Sequence, residues 1–318
     1  MDLIYTNASG EDQGIMSAYA FDLSFGASEN DFEISAGVDE SMLEFGAFVY
    51  MEGTEYGGTV DTIKTSTNGK TITYRGRTIH GILNSKVIQP DSGADYFVVS
   101  GDANDILAML VDRLGLSALF VADENSSGVS ISRYQFHRYC KGYDGIRAML
   151  AANGAKLKIS WHDRAVHLSA VPILDYTKEP VDGDIATLSI EQNHTKVNHL
   201  VCLGRGELSE REVIHLYSDS DGNIGDVQYF TGINEVADVY ENSNTEDLRS
   251  DGIKRFQELR DNYKSEMDLP ESDSPLYDIG DIVGATDIET GVSVASAVTQ
   301  KIVRIKNGAI STEYKTGS

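Results

Sequence analysis

Residues 56–88, YGGTVDTIKTSTNGKTITYRGRTIHGILNSKVI, set the structural grammar of the chain. Two runs in it, 59–65 and 70–77, are dense in Thr, Ile, Val and Tyr, which suit a pleated, half-buried surface. Asn68-Gly69 stands between them, and this pair tolerates the positive φ that a type I′ hairpin turn demands at both central positions. Alternation at Val60/Thr62 and Ile72/Tyr74 gives each strand one face for a core. Past Gly76 the period changes. Thr78 can cap a short helix whose apolar residues Ile79, Ile82 and Leu83 follow i, i+3, i+4 spacing. An isolated hairpin is not stable in water, so this unit is expected to form one wall of a larger sheet.

Upstream, short strands are expected at 3–5, 21–25, 32–34 and 45–51, with the polar segment 6–14 as a connection. With the hairpin, that is the spacing of a sandwich or barrel. Downstream of Pro90 helices and strands alternate. Asp102 can cap a helix over 103–114, with Ile106, Leu107, Leu110, Val111 and Leu114 as its buried stripe. A strand at 129–133 precedes a second helix capped by Asp144, and 156–161 and 165–171 form another hairpin. Strands return at 187–191, 197–203, 213–217 and 227–230. A long helix spans 245–266, and strands at 277–283, 292–296, 297–305 and 309–314 close the chain, the last pair joined by Asn307-Gly308. The expected class is mostly β with an α/β insert, an α+β architecture. Residues 1–90 form a first β-barrel domain, 91–175 a small α/β domain, and 176–318 a second barrel carrying the helix near 245–266.

Composition limits the function. With 318 residues, 41% hydrophobic, the chain has ample core for several domains. The longest apolar run, 118–122, is far short of a bilayer span, and the amino-terminal residues carry neither the basic nor the apolar region of a secretory leader. Two distant cysteines, Cys140 and Cys202, give no disulfide framework and fit a reducing cytoplasm. The formal net charge of −24 argues against gripping phosphate backbones or anionic membranes.

Chemistry is hard to find. His162, Asp163 and His167 could be drawn as a metal cluster, but they straddle a turn. His137 and Cys140 lack a third orienting group. Asp219, Asp221 and Asn223 imitate a calcium loop that then fails at Ile224 and Phe230, where Gly and Glu belong. Residues 291–295 miss a nucleophile elbow by one position and lie in a strand-rich tail. Acidic pairs such as Asp238/Glu241 carry no information among 50 Asp and Glu. No catalytic residue, metal or cofactor is expected.

Several segments, taken in order, resemble the siphovirus Gp37-like family of phage tail proteins, relatives of baseplate and tail-tip hubs. They are MDLIYTNASGEDQGIM at the start, DFEIS at 31–35, ITYRGRTIHGILNSKVI at 72–88, and KVNHLVCLGRGE with Asn198, Gly204, Gly206 and Arg211. The helix at 248–259 and YDIGDIV at 277–283 complete the set. The resemblance implies two similar barrels per subunit and a homo-oligomer, a trimer whose six barrels match a six-fold tail tube. It implies a structural, non-enzymatic role in the phage or prophage virion, joining tail tube and distal tail proteins to the tape measure or tail tip. DNA would pass through the ring unbound, repelled by carboxylates. Some such hubs continue into a lytic domain. This sequence stops at Ser318 after its last hairpin, so lysis is expected of a partner. Arg75 and Arg77, on one face of their strand, are the candidate interface residues. The alternatives are a tail-associated cell-wall hydrolase or peptidase and a glycan- or receptor-binding β module.

Overall fold

The computed structural model describes residues 2–37, 43–66, 70–178, 187–190, 196–243, 245, 247–260, 265–269, 271–272, 276–286, 293–306 and 308–317. Strands Gly57–Ser66 and Thr71–Thr78 pair antiparallel, with Ile63 opposite Tyr74 and Thr65 opposite Ile72. The turn Asn68-Gly69 lies outside the described residues. Val60, Ile72 and Tyr74 face the core as their alternation predicts, but Thr62 is exposed, because a bulge shifts the alternation after Val60 and Ile63 packs against the core in its place. A bulge between Val60 and Thr62 inserts Asp61 as the unpaired residue. Opposite it only glycine fits, because a Cβ at Gly76 would lie 1.8 Å from the Thr59 carbonyl oxygen. Helix Ile79–Asn84 follows directly, and the Thr78 hydroxyl accepts the Gly81 amide at 3.2 Å.

The hairpin belongs to a 12-stranded sheet. Its order is Thr187–Ile190, Ser265–Asp268, Ala309–Gly317, Ser293–Lys306, Tyr19–Gly26, Asp31–Gly37, Thr71–Thr78, Gly57–Ser66, Phe48–Tyr50, Leu3–Thr6 and Asp12–Met16, with Ile282–Thr286 pairing off this path. The path is open at both ends, and among the described residues no sheet closes into a barrel. First and last parts of the chain meet where Ser293–Lys306 pairs with Tyr19–Gly26, Val303 opposite Leu23. Either side of that seam has its own apolar cluster. One is built on Phe21, Leu23, Phe25, Ile34 and Tyr74, the other on Leu269, Val283, Ala285, Val298 and Tyr314.

Between these parts, helices Ala103–Arg113 and Gly142–Ala151 pack with a three-stranded sheet of Phe120–Ala122, Ala165–Pro172 and Ala155–His162. Asp102 caps the first helix, accepting the Asn104 amide at 2.9 Å. The second begins before its expected cap. Its N-cap is Lys141, and Asp144 sits in the first turn. The reason is packing: the Gly142 amide donates to the Lys86 carbonyl at 2.9 Å, and no larger residue fits against Leu83 there.

The chain divides into two compact units, residues 1–188 with 267–318 and residues 189–266. In the smaller unit, a sheet of Ile224–Gly225, Val213–Ser218, His199–Leu203 and Ala237–Glu241 packs against helix Leu248–Arg260. Leu200, Cys202, Leu216, Leu248 and Phe256 form its core. The helix is shorter than expected. Among the described residues, no helix is long and apolar enough to cross a membrane.

Other differences have plain causes. Residues 227–230 are irregular, and Val227 and Tyr229 are exposed, so their β propensity finds no partner strand. Residues 277–281 run as turn and coil, with strand beginning at Ile282. The two strands expected at 292–296 and 297–305 are one 14-residue strand, Ser293–Lys306.

Candidate functional site

Arg75 and Arg77 project from the solvent face of the large sheet, two residues apart on one strand as alternation requires. Arg75 stands directly opposite Glu33 on the neighbouring strand and donates to it at 2.6 Å. Arg77 forks onto Asp61, Nε to one oxygen and Nη2 to the other, both at 2.8 Å. The bulge is what delivers Asp61 to this position. Hydrogen bonds from the Arg77 guanidinium and amide hold the Asp61 carboxyl below its usual range despite partial burial. Both pairs are exposed, so each contributes only about 0.2–1 kcal/mol. Around them lie Asp22 and Asp31, so the face carries more acid than base.

A second charged group is buried and was not legible in the sequence. Lys301, 1% exposed at the side chain, donates to Glu55 at 2.7 Å and to Asp278 at 3.1 Å. Lys156, 4% exposed, donates to Asp278 at 2.9 Å and to both oxygens of Asp281 at 2.7 Å. Asp281 also accepts the amides of Leu174 and Asp278 at 2.9 Å. Burial opposes ionisation of Glu55, but the Lys301 ammonium and the His80 contact outweigh it and hold its pKa below the usual carboxylate range. Burial opposes the Lys301 charge as well, and Glu55 with Asp278 reverse that effect, raising its pKa. His80 completes the group. Its Nε2 lies 3.3 Å from Glu55, its ring stacks on Phe25 at 4.3 Å, and burial drives its pKa down so that it stays neutral. These six side chains tie the first β region, the α/β insert and the carboxy-terminal strands together. Their lysines and carboxylates are spent on one another. The arrangement is a structural clamp.

In the smaller unit, the residues of the Asn…Gly-x-Gly…Arg segment brace two loops. Asn198 donates to the Asn234 carbonyl at 2.8 Å and accepts the Val236 amide at 2.9 Å. Arg211 donates to the Gly204 carbonyl at 3.2 Å and pairs with Glu241. Gly206 adopts φ +96°, and a Cβ there would strike the Glu210 carbonyl at 2.4 Å. Beside Asn198, His199 Nδ1 lies 2.6 Å from Glu235 and its Nε2 2.8 Å from His215 Nδ1.

The candidates for chemistry stay apart or serve structure. His162 and His167 share a sheet face, their rings 5.9 Å between centroids. Among the described residues no three His, Cys, Asp or Glu side chains form a group that could hold a metal. Cys140 and His137 are joined only through a backbone bond, and burial raises the thiol pKa. Asp219 spends its carboxylate on the Asp221 and Asn223 amides and the Asn223 side chain, which makes it a turn residue. Gly291 lies outside the described residues.

Neither a family model nor a curated protein matches the chain. Solved structures do. The prophage tail protein gp18 from Listeria monocytogenes EGD-e aligns with a TM-score of 0.54 at 14% identity, over 99% of this chain and 94% of that one. The 43 kDa tail protein of prophage MuSo2 from Shewanella oneidensis gives 0.56 at 13%, over 100% and 98%. A chain of the phage P2 virion baseplate in its activated conformation gives 0.53 at 10%, over 99% and 98%. From end to end, the chain has a mostly β fold shared with phage tail and baseplate proteins.

Proposed function

We propose that this chain is a structural tail hub, a ring-forming connector between the tail tube and the tip or baseplate of a phage or prophage tail. What carries the reading is the end-to-end fold likeness, since the similar tail and baseplate chains are themselves covered over 94% to 98% of their length. The reading agrees with the resemblance of the ordered segments to the Gp37-like family, which no family model matches. In this reading residues 1–90 and 176–318 supply two barrel-like halves flanking the 91–175 insert. The seam between Ser293–Lys306 and Tyr19–Gly26 joins them, and three copies present six equivalent halves to a six-fold tube.

The net charge of −24 then has a use. Carboxylates lining the channel repel passing phosphates, so DNA slides through without binding. Arg75 and Arg77 stand at a subunit contact, where exposed guanidiniums already ordered by Glu33 and Asp61 reach a carboxylate of the next copy. Partners are the tail tube, distal tail, tape-measure and tail-tip proteins, and the location is the virion tail. The test is particle mass by light scattering with low-resolution imaging. A three-fold ring supports the reading, and lysine replacement of channel acids should slow DNA ejection. Ejection unchanged by those replacements removes the repulsion argument.

A further inference from the structure

Within the buried clamp, one contact is set apart by its geometry. Lys156 Nζ lies 2.7 Å from both Oδ1 and Oδ2 of Asp281, and the two side chains are 4% and 1% exposed. A nitrogen equidistant from both carboxylate oxygens stands close to the carbon between them, at about 3 Å, the separation of two atoms poised to bond. Lys301 is placed otherwise, meeting one oxygen of Glu55 and one of Asp278.

The Asp281 carboxyl is also equipped as an electrophile. Oδ1 accepts the Leu174 amide and Oδ2 the Asp278 amide, each at 2.9 Å, so two backbone donors point at the oxygens that carry charge when the carbon is attacked. Asp278 supplies a base, its Oδ2 2.9 Å from the same Lys156 nitrogen. Burial keeps competing water from the carbon. The location gives such a bond a purpose. The larger unit is assembled from residues 1–188 and 267–318, with residues 189–266 inserted between them. Lys156 belongs to the first segment, at the start of strand Ala155–His162, and Asp281 to the second, just before strand Ile282–Thr286. A bond between them spans 125 residues and brackets the whole smaller unit, so a pull on that unit cannot part the two segments at this point.

We propose that Lys156 and Asp281 join in an intramolecular amide bond, a self-made covalent modification of the clamp. One ammonium proton passes to Oδ2 of Asp281, which turns two buried charges into a neutral amine and a neutral acid. The nitrogen lone pair forms the N–Cγ bond, and Oδ1 takes the negative charge under the Leu174 amide. Asp278 removes a second proton from the nitrogen and returns it to the Oδ2 hydroxyl. The Cγ–Oδ2 bond then breaks and one water leaves, with no oxidant, nucleotide or metal consumed. The bond forms within one chain, whatever number of copies assemble.

Intact-mass spectrometry of the denatured 318-residue chain tests the bond. The purified protein should weigh one water less than its sequence, and protease digestion should yield a branched peptide holding both Lys156 and Asp281. Lys156→Arg, which keeps the buried positive charge, should return the full sequence mass. Asp278→Asn removes the base at a half-exposed side chain and should slow linkage more than about 100-fold, the scale of general acid–base catalysis. An Asp278→Asn chain that links at the wild-type rate overturns the role given to Asp278. A wild-type chain that keeps its sequence mass after prolonged incubation at neutral pH overturns the bond itself. So does a missing water that persists in Lys156→Arg or maps to an Asp-Gly pair such as Asp221-Gly222.

Discussion

The two compact units differ in what they do with charge and apolar surface. The larger one buries two lysines, Lys156 and Lys301, among the carboxylates of Glu55, Asp278 and Asp281. The smaller keeps its ion pairs exposed, as in Arg249 with Asp226, and leaves Leu208, Val227, Tyr229, Ile233 and Val239 largely uncovered. Buried pairs resist removal of one partner because the other is left as an uncompensated charge. Exposed pairs do not. The larger unit is therefore built to be rigid at its junctions. The smaller one, with a four-stranded sheet and one helix among its described residues, keeps a thin core and presents surface.

The sharpest way to test this contrast is to remove charge from the clamp. Asp281→Ala leaves Lys156 buried without its main partner and should cost about 3–5 kcal/mol of stability in urea unfolding. Replacing both with apolar residues, Lys156→Met with Asp281→Leu, should recover much of that loss. If the single and double variants are equally destabilised, the ion pair is not what matters there. In the smaller unit, Phe256→Ala should cost a comparable ~3–5 kcal/mol, the range for truncating a buried aromatic. Limited proteolysis should then cut first within residues 189–266, sparing the larger unit.

A smaller effect follows pH. His80 is pushed below its ordinary 6.5 by burial, so the unfolded chain binds its proton first. Its contribution is whole above about pH 6.5 and is lost as pH falls below, at up to about 1.4 kcal/mol per pH unit. Glu55, held below its ordinary 4.5, adds a further loss at lower pH. His80→Phe should flatten the first part of that decline and leave the second, read from melting temperature against pH. The smallest effect belongs to the solvent face, where Arg75→Ala or Arg77→Ala should change stability by no more than about 1 kcal/mol. A large loss there would place those arginines in the clamp's class.

Local devices were legible in the sequence. Thr78 and Asp102 cap as their neighbours predict, and the strand Thr71–Thr78 follows its alternation, whereas the bulge at Asp61 breaks that of its partner. What escaped depended on distant partners. Lys301 and Lys156 sit in strands where lysine reads as surface, and Glu55 lies 246 residues from Lys301. Strand Asp12–Met16 was hidden because DQGIM, a polar edge strand with one buried residue, shows no alternation. Val227 and Tyr229 erred the other way, with strand composition but no neighbour to pair with. For the candidate site, the sequence placed Arg75 and Arg77 on one face but could not show Glu33 and Asp61 beside them. The Asn198 brace was visible only as a motif, without its purpose. Among the described residues no closed barrel is found, and closure depends on registers between remote strands that composition does not encode.

We propose that three copies of this chain close into a ring. Native mass spectrometry of this 318-residue chain across a concentration series is the direct test. A species of three 34.7 kDa chains is expected, with no larger open series. A monomer at every concentration, or an open ladder of ever larger assemblies, would contradict it.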